Sequence, residues 1–210
     1  MKVLDRKFVL AAWVLAGMVI AAAGVASAQT DVYKVNYFSN NAPVLPTAGV
    51  KANVRVDPPD ATVRIDNPGL TYGNLCAMIY VFDQDQQLSE CCGCVQTHNN
   101  LSTLSVRFDL TSNPLTGVIS NNGVIKVVSA LPSAGACDPT STYTATPNLR
   151  VWVTHIQNPV GGAYPITETE SSNSTLGATE LANLQTQCAF IGILGSGNGV
   201  CTCGGGGSID

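Results

Sequence analysis

The chain has 210 residues, of which 45% are hydrophobic and only 11% are Asp, Glu, Lys or Arg, with a formal net charge of −4. Beyond residue 28 the balance is 7 Lys and Arg against 13 Asp and Glu, a net of −6. Such a surface has no basic stripe to meet phosphates, which excludes nucleic acid as a partner. Asn, Thr, Ser and Gly fill the polar positions instead, a palette suited to strands and turns rather than helices.

In chain order, Lys2, Arg6 and Lys7 precede an apolar run, Phe8–Val25, and then Ala26-Ser27-Ala28. A basic start, an apolar middle and a small-x-small end predict a signal peptide over 1–28, with the mature chain starting at Gln29. The alternative is a retained anchor, since the run reaches the lower limit for spanning a bilayer. With cleavage, the expectation is a secreted or cell-surface protein with no membrane contact. Residues 29–48 form a β-capable arm, with Val32, Tyr33, Val35, Tyr37 and Phe38 as its strand-forming residues; Asn40-Asn41, Pro43 and Pro46 separate it from the body of the chain.

A body over 49–175 is then predicted from short strands. These are Val50–Val56, Ala61–Ile65, Leu75–Phe82 (continuously apolar, hence central), Gln87–Cys92 as its hairpin partner, Leu101–Leu110, Val124–Val128 and Leu149–Ile156. Pro, Gly and Asn clusters between them point to a mainly β chain built as an antiparallel β-sandwich. One stretch departs from the pattern. Leu181, Leu184, Cys188 and Ile191 fall at helical spacing, predicting one C-terminal helix capped by Ser174 or Thr175 and ended by Gly192 and Gly195. The segment 176–203 is therefore read as helix plus cysteine-pinned tail, and 204–210 as a flexible Gly-rich end.

Eight cysteines, Cys76, Cys91, Cys92, Cys94, Cys137, Cys188, Cys201 and Cys203, all lie beyond residue 28. An even count in an exported chain predicts a disulfide framework. Extended backbone alternates its side chains, so Cys92 and Cys94 share one face, Cys201 and Cys203 share one face, and Cys91 points away. In the structural reading the two Cys-x-Cys units face each other and bridge the tail to the hairpin, while Cys91 seeks Cys76, Cys137 or Cys188. Connectivity stays open at this point. In the alternative, Cys92, Cys94, Cys201 and Cys203 bind a metal as thiolates, although zinc sites usually space paired ligands more widely.

The run LCAMIYVFDQDQQLSECCGCVQTHNNLSTLSVRFDLTSNPLTG, with the ending LANLQTQCAFIGILGSGNGVCTCG, is similar to a group of secreted bacterial proteins of uncharacterised function. The likeness covers residues 70–205, with Cys-Cys-x-Cys and Cys-x-Cys as its marks. It implies secretion and a shared cysteine framework, and it brings no activity.

No catalytic residue is expected. His98 lies in a polar loop and His155 at the end of a strand, without a nucleophile elbow. The close carboxylate pairs are Asp57/Asp60, Asp83/Asp85 and Glu168/Glu170, and the first two sit at turns, where Asp is favoured for local hydrogen bonds. Asp83-x-Asp85 with Glu90 lacks the glycine and terminal glutamate of a calcium loop. No cofactor is expected. The functional expectation is a secreted, non-catalytic structural or surface-associated protein, a subunit of a fibre or matrix that partners itself by β-strand addition through the arm. The alternatives are a ligand-binding module, with a pocket around Trp152, Tyr164 or Tyr143, and a metal-binding protein using the paired Cys-x-Cys units.

Overall fold

The computed structural model describes residues 31–46, 55–56, 58–70 and 73–204. The predicted signal peptide, most of the Val50–Val56 strand and the end of the Gly-rich tail lie outside the described residues. The strands are β1 (Tyr33–Ser39), β2 (Leu45–Pro46), β3 (Arg55–Val56), β4 (Thr62–Asn67), β5 (Leu75–Asp83), β6 (Leu88–Gln96), β7 (Asn100–Ser105), β8 (Asn122–Ala130), β9 (Arg150–Ile156), β10 (Ile166–Glu170) and β11 (Ser172–Ser174). One helix, α1 (Ala178–Ile193), follows them.

Nine strands form one sheet in the order β6-β5-β8-β1-β9-β4-β7, with β10 on β9 and β11 on β1, while β2 and β3 pair separately. Most pairs are antiparallel, but β1 meets β9 in parallel at Ser39 and His155. The expected antiparallel sandwich is therefore corrected to one mixed, curled sheet. A sandwich needs two sheets facing each other. Here the curl itself brings β4, β7 and β9 over β5, β6 and β8. Their inward residues, among them Val63, Ile65, Ile79, Leu104, Val127 and Val153, form a single buried cluster.

Central β5 explains its own continuous hydrophobicity, because both of its faces are covered. Leu75, Ala77, Ile79 and Val81 face the enclosed cluster; Cys76, Met78, Tyr80 and Phe82 face a second cluster under α1. Burying each large side chain contributes roughly 1.5–3 kcal/mol, so β5 anchors two cores at once. The helix packs through Leu184, Cys188 and Ile191, with Leu181 partly buried beside them, as its spacing predicted. Its start is corrected: Gly177 is the N-cap, without a side-chain hydrogen bond, rather than Ser174 or Thr175. Ser174 belongs to β11. Glu180, in the first helical turn, accepts from Lys126 and from the Tyr33 hydroxyl, each at 2.8 Å. Its negative charge there complements the helix dipole.

The strand expected over Leu101–Leu110 stops at Ser105. A five-residue π turn, Val106–Leu110, follows. Asp109 accepts the Ser105 N–H at 2.7 Å and the Ser105 hydroxyl accepts the Phe108 N–H at 2.8 Å, so local side chains replace the ladder. Phe108 consequently turns out to solvent while Leu110 is buried. β10 and β11 were not expected from the sequence. All five β10 side chains are exposed, so its segment carries no hydrophobic alternation to read.

Candidate functional site

Of the segment predicted as an arm, Tyr33–Ser39 lies within the body's sheet as β1, while Leu45–Pro46 pairs apart with β3. β1 pairs with β8 over all seven of its residues and with β11 over Tyr33–Val35. Val32, Tyr33 and Phe38 are buried, Val35 is half-buried, and exposed Tyr37 stacks on His155 with ring centroids 4.0 Å apart. Pairing within its own sheet satisfies the strand's backbone groups and removes the apolar side chains from water.

Chemistry and covalent structure concentrate instead on β6 and the C-terminal tail. A turn over 97–99 joins β6 to β7, yet β7 pairs with β4 and β6 with β5. The tail occupies the space between β6 and the β7–π-turn segment. On one side the Cys91 N–H donates to Gly199 O at 2.9 Å and the Cys201 N–H to Cys91 O at 3.3 Å, a parallel bridge. On the other, the Thr202 N–H and hydroxyl donate to the Asp109 carbonyl and carboxylate at 2.8 and 3.1 Å. The tail thus closes the seam of the curled sheet.

Each residue of Cys91-Cys92-Gly93-Cys94 has its own task. Cys92 and Cys94 face inward and bridge Cys201 and Cys203, with Cα–Cα distances of 5.2 and 5.3 Å. Both bridges span 109 residues, the mark of parallel register between strand and tail. Cys91 faces the other way and bridges Cys188 on α1. Gly93 shares that outer face, where a Cβ would lie 2.1 Å from the Cys137 carbonyl oxygen. Cys137 bridges Cys76 on β5, so Gly93 is what lets the 131–148 loop approach close enough to be fastened. Gly199 plays the same part under the helix: its φ is +88° and a Cβ would lie 2.3 Å from Ile191 Cγ2.

A buried carboxyl sits beside this motif. Glu90 is fully buried; Oε1 accepts the Asn113 N–H at 2.8 Å, and Oε2 has no partner. Burial pushes the group up to about 7, against the opposing pull of the Asn113 hydrogen bond. Asn113 in turn accepts the Gly199 N–H at 2.6 Å and donates its side-chain amide to Gly197 O at 2.9 Å. Glu90 therefore positions the loop that positions the tail.

All eight cysteines are bridged, leaving no thiolate to bind a metal, although the sulfurs of Cys92, Cys94 and Cys203 lie within 4.8 Å of one another. The other candidates are scattered. His98 Nε2 bonds to Gly69 O at 2.9 Å on an exposed loop. His155 is buried, which lowers its pKa; Nε2 meets the Thr169 hydroxyl at 2.8 Å, and Nδ1 has no partner. Among the described residues no carboxylate bonds either ring. Asp60 accepts from Asn40 at 2.8 Å, from the Ser105 hydroxyl and from the Arg107 N–H, a structural hub; Asp57 lies outside the described residues. Asp83 accepts the Asp85 and Gln87 N–H groups at 2.9 Å, which is a hairpin turn. Glu168 lies 3.5 Å from Arg64, and both Glu168 and Glu170 are exposed. Tyr143 is buried against the Tyr80 hydroxyl at 3.0 Å, and Tyr164 donates to Pro43 O at 2.8 Å. Trp152 borders a shallow depression of about 360 Å³ shared with Arg64, Asp66, Leu101 and Glu168.

Among the described residues no helix is long and apolar enough to cross a membrane. Comparison with protein-family models, curated proteins and solved structures returns no match. Sequence reasoning located the cysteines but missed Glu90 as a buried group; its place in the apolar-flanked segment Leu88–Cys92 was the available signal.

Proposed function

We propose that this is a secreted, non-catalytic structural or surface-associated protein that serves as a subunit of an extracellular fibre or matrix. One observation carries the reading: four bridges fasten the helix, the tail and the 131–148 loop to the single hairpin β5–β6. A fully bridged set of cysteines belongs to an oxidising, extracellular-type environment. Bridges of this kind restrict the unfolded chain, which favours persistence over conformational turnover.

The test is the mass of the exported protein before and after alkylation without reductant, with native sizing of the same sample. No alkylation together with species larger than a monomer supports the reading. Self-association by strand addition would then require β1 to exchange between copies, and deletion of residues 29–39 would abolish the large species. Four alkylated cysteines, or metal retained in the native mass, would overturn it.

A ligand-binding module is the second reading, favoured by the depression at Trp152. Trp152 is the one tryptophan beyond residue 28, so its fluorescence reports on that surface alone. A saturable shift with soluble oligosaccharides, absent in Leu101→Ala, which alters the depression but keeps the reporter, would support this second reading.

A further inference from the structure

We propose that Lys34, Asn173 and Asp31 form a self-modification site: the Lys34 amine displaces ammonia from the Asn173 carboxamide, and the resulting isopeptide bond joins β1 covalently to β11. This goes beyond the structural role proposed above and does not rest on it.

The sheet itself assembles the three groups. β1 and β11 pair antiparallel with Tyr33 opposite Ser174, Lys34 opposite Asn173 and Val35 opposite Ser172. Amine and carboxamide therefore occupy one cross-strand pair, the position at which side chains of neighbouring strands meet. Lys34 Nζ donates to Asn173 Oδ1 and to Asp31 Oδ1. The amine thus lies against the carbonyl whose carbon it must attack, and a carboxylate lies against the same nitrogen. Fixed proximity of this kind replaces a bimolecular encounter. Lys34 is 4% exposed, so water is largely kept from the amine. Asp31 stands just ahead of β1 with φ at +68°, in the left-handed region that Asp tolerates. The chain beside it is held because Val32 O accepts the Ser129 N–H at 2.7 Å. Asn173 is exposed, which gives the ammonia a way out.

The steps balance. Asp31 accepts one proton from the Lys34 ammonium and frees the nitrogen lone pair. Nζ attacks Asn173 Cγ, and the carbonyl electrons move onto Oδ1. A second Nζ proton passes to Nδ2; the Cγ–Nδ2 bond then breaks, the carbonyl re-forms and ammonia leaves. The ammonia takes the proton held by Asp31 and restores its carboxylate. One ammonium and one carboxamide become one secondary amide and one ammonium ion, with nothing oxidised or reduced. The bond links residues 139 apart in sequence and ties the first strand of the chain to the last. It fixes β1 to whichever copy supplies Asn173, so any exchange of β1 has to precede it.

The experiment denatures, reduces and alkylates the exported protein, digests it with trypsin and identifies the peptides by mass. Trypsin cuts after free Lys and Arg, and residues 151–210 contain neither. The expected result is a branched species: the peptide ending at Lys51, uncut at Lys34, joined to the peptide beginning at Val151 with loss of one ammonia. A chain beginning at Gln29 also loses ammonia when that glutamine cyclises, so the bond is read from the joined peptides and not from the intact mass. A monomer gives the same joined pair, so failure of the assembly reading leaves this result untouched. Cleavage after Lys34 with the 151–210 peptide free overturns the proposal, as does a join between Lys34 and Asp31 with loss of water. Asn173→Ala, at an exposed position, and Asp31→Gly, which suits the positive φ, should both form the four disulfides and give free peptides cut at Lys34. A joined pair in Asp31→Gly would refute the role of Asp31 as the base.

Discussion

Replacing Glu90 by Gln should raise stability at neutral pH and leave it nearly unchanged in acid. The folded carboxyl is pushed up to about 7 from an ordinary value of 4.5, so the folded state keeps a proton that the unfolded state has lost across that window. Stability from this group therefore falls as pH rises from 4.5 to about 7 and is level beyond it. At about 1.4 kcal/mol for each pH unit, the loss is about 3 kcal/mol. The group is fully buried and has no charged partner to offset the cost. Gln retains the acceptor for Asn113 and removes the titration. Urea unfolding of the oxidised wild type and Glu90→Gln, from about pH 4 to about pH 8, should give curves that coincide in acid and separate by about 3 kcal/mol in favour of the variant. A difference that is constant across this range would refute the assignment of a proton to folded Glu90.

The remaining predictions concern packing and the bridges. Gly93→Ala should destabilise by about 1–3 kcal/mol, since the added methyl meets the Cys137 carbonyl; denaturant unfolding measures it, and mapping should show Cys76–Cys137 forming less completely. The two seam bridges should be redundant. With Cys91–Cys188 in place, the first closes only the short loop from Cys188 to Cys201, worth about 3 kcal/mol, and the second closes almost nothing more. Calorimetry should therefore show a small loss for the pair Cys94→Ser and Cys203→Ser but about 3 kcal/mol when Cys92 and Cys201 are replaced as well. Tyr80→Phe should cost about 1–2 kcal/mol, because its hydroxyl bonds Pro139 O at 2.8 Å and Tyr143 at 3.0 Å in the buried layer under the helix; equal stability would show that this layer tolerates an apolar ring.

Much of the framework was legible in the residues alone. Period-two alternation placed Val151 and Val153 on the buried face of β9, with buried Leu149 just before it, and helical spacing placed Leu184, Cys188 and Ile191 on α1. The same alternation separated Cys91 from Cys92 and Cys94, because neighbouring side chains of a strand point to opposite faces. It anticipated that the two Cys-x-Cys units would face each other; Cys188 was one of three partners left open for Cys91. These are short-range facts, set by backbone geometry and burial. What the tertiary structure alone decided is long-range. The single curled sheet, the placement of Val32–Phe38 between β8 and β11, and the pairing of exposed β10 with β9 depend on which strands meet across large sequence separations. Gly93 and Glu90 look ordinary in the sequence; one becomes indispensable when Cys137 approaches, and the other becomes a buried acid when the loop at Asn113 closes over it. A side chain's neighbours across the fold fix its environment, and no local pattern records them.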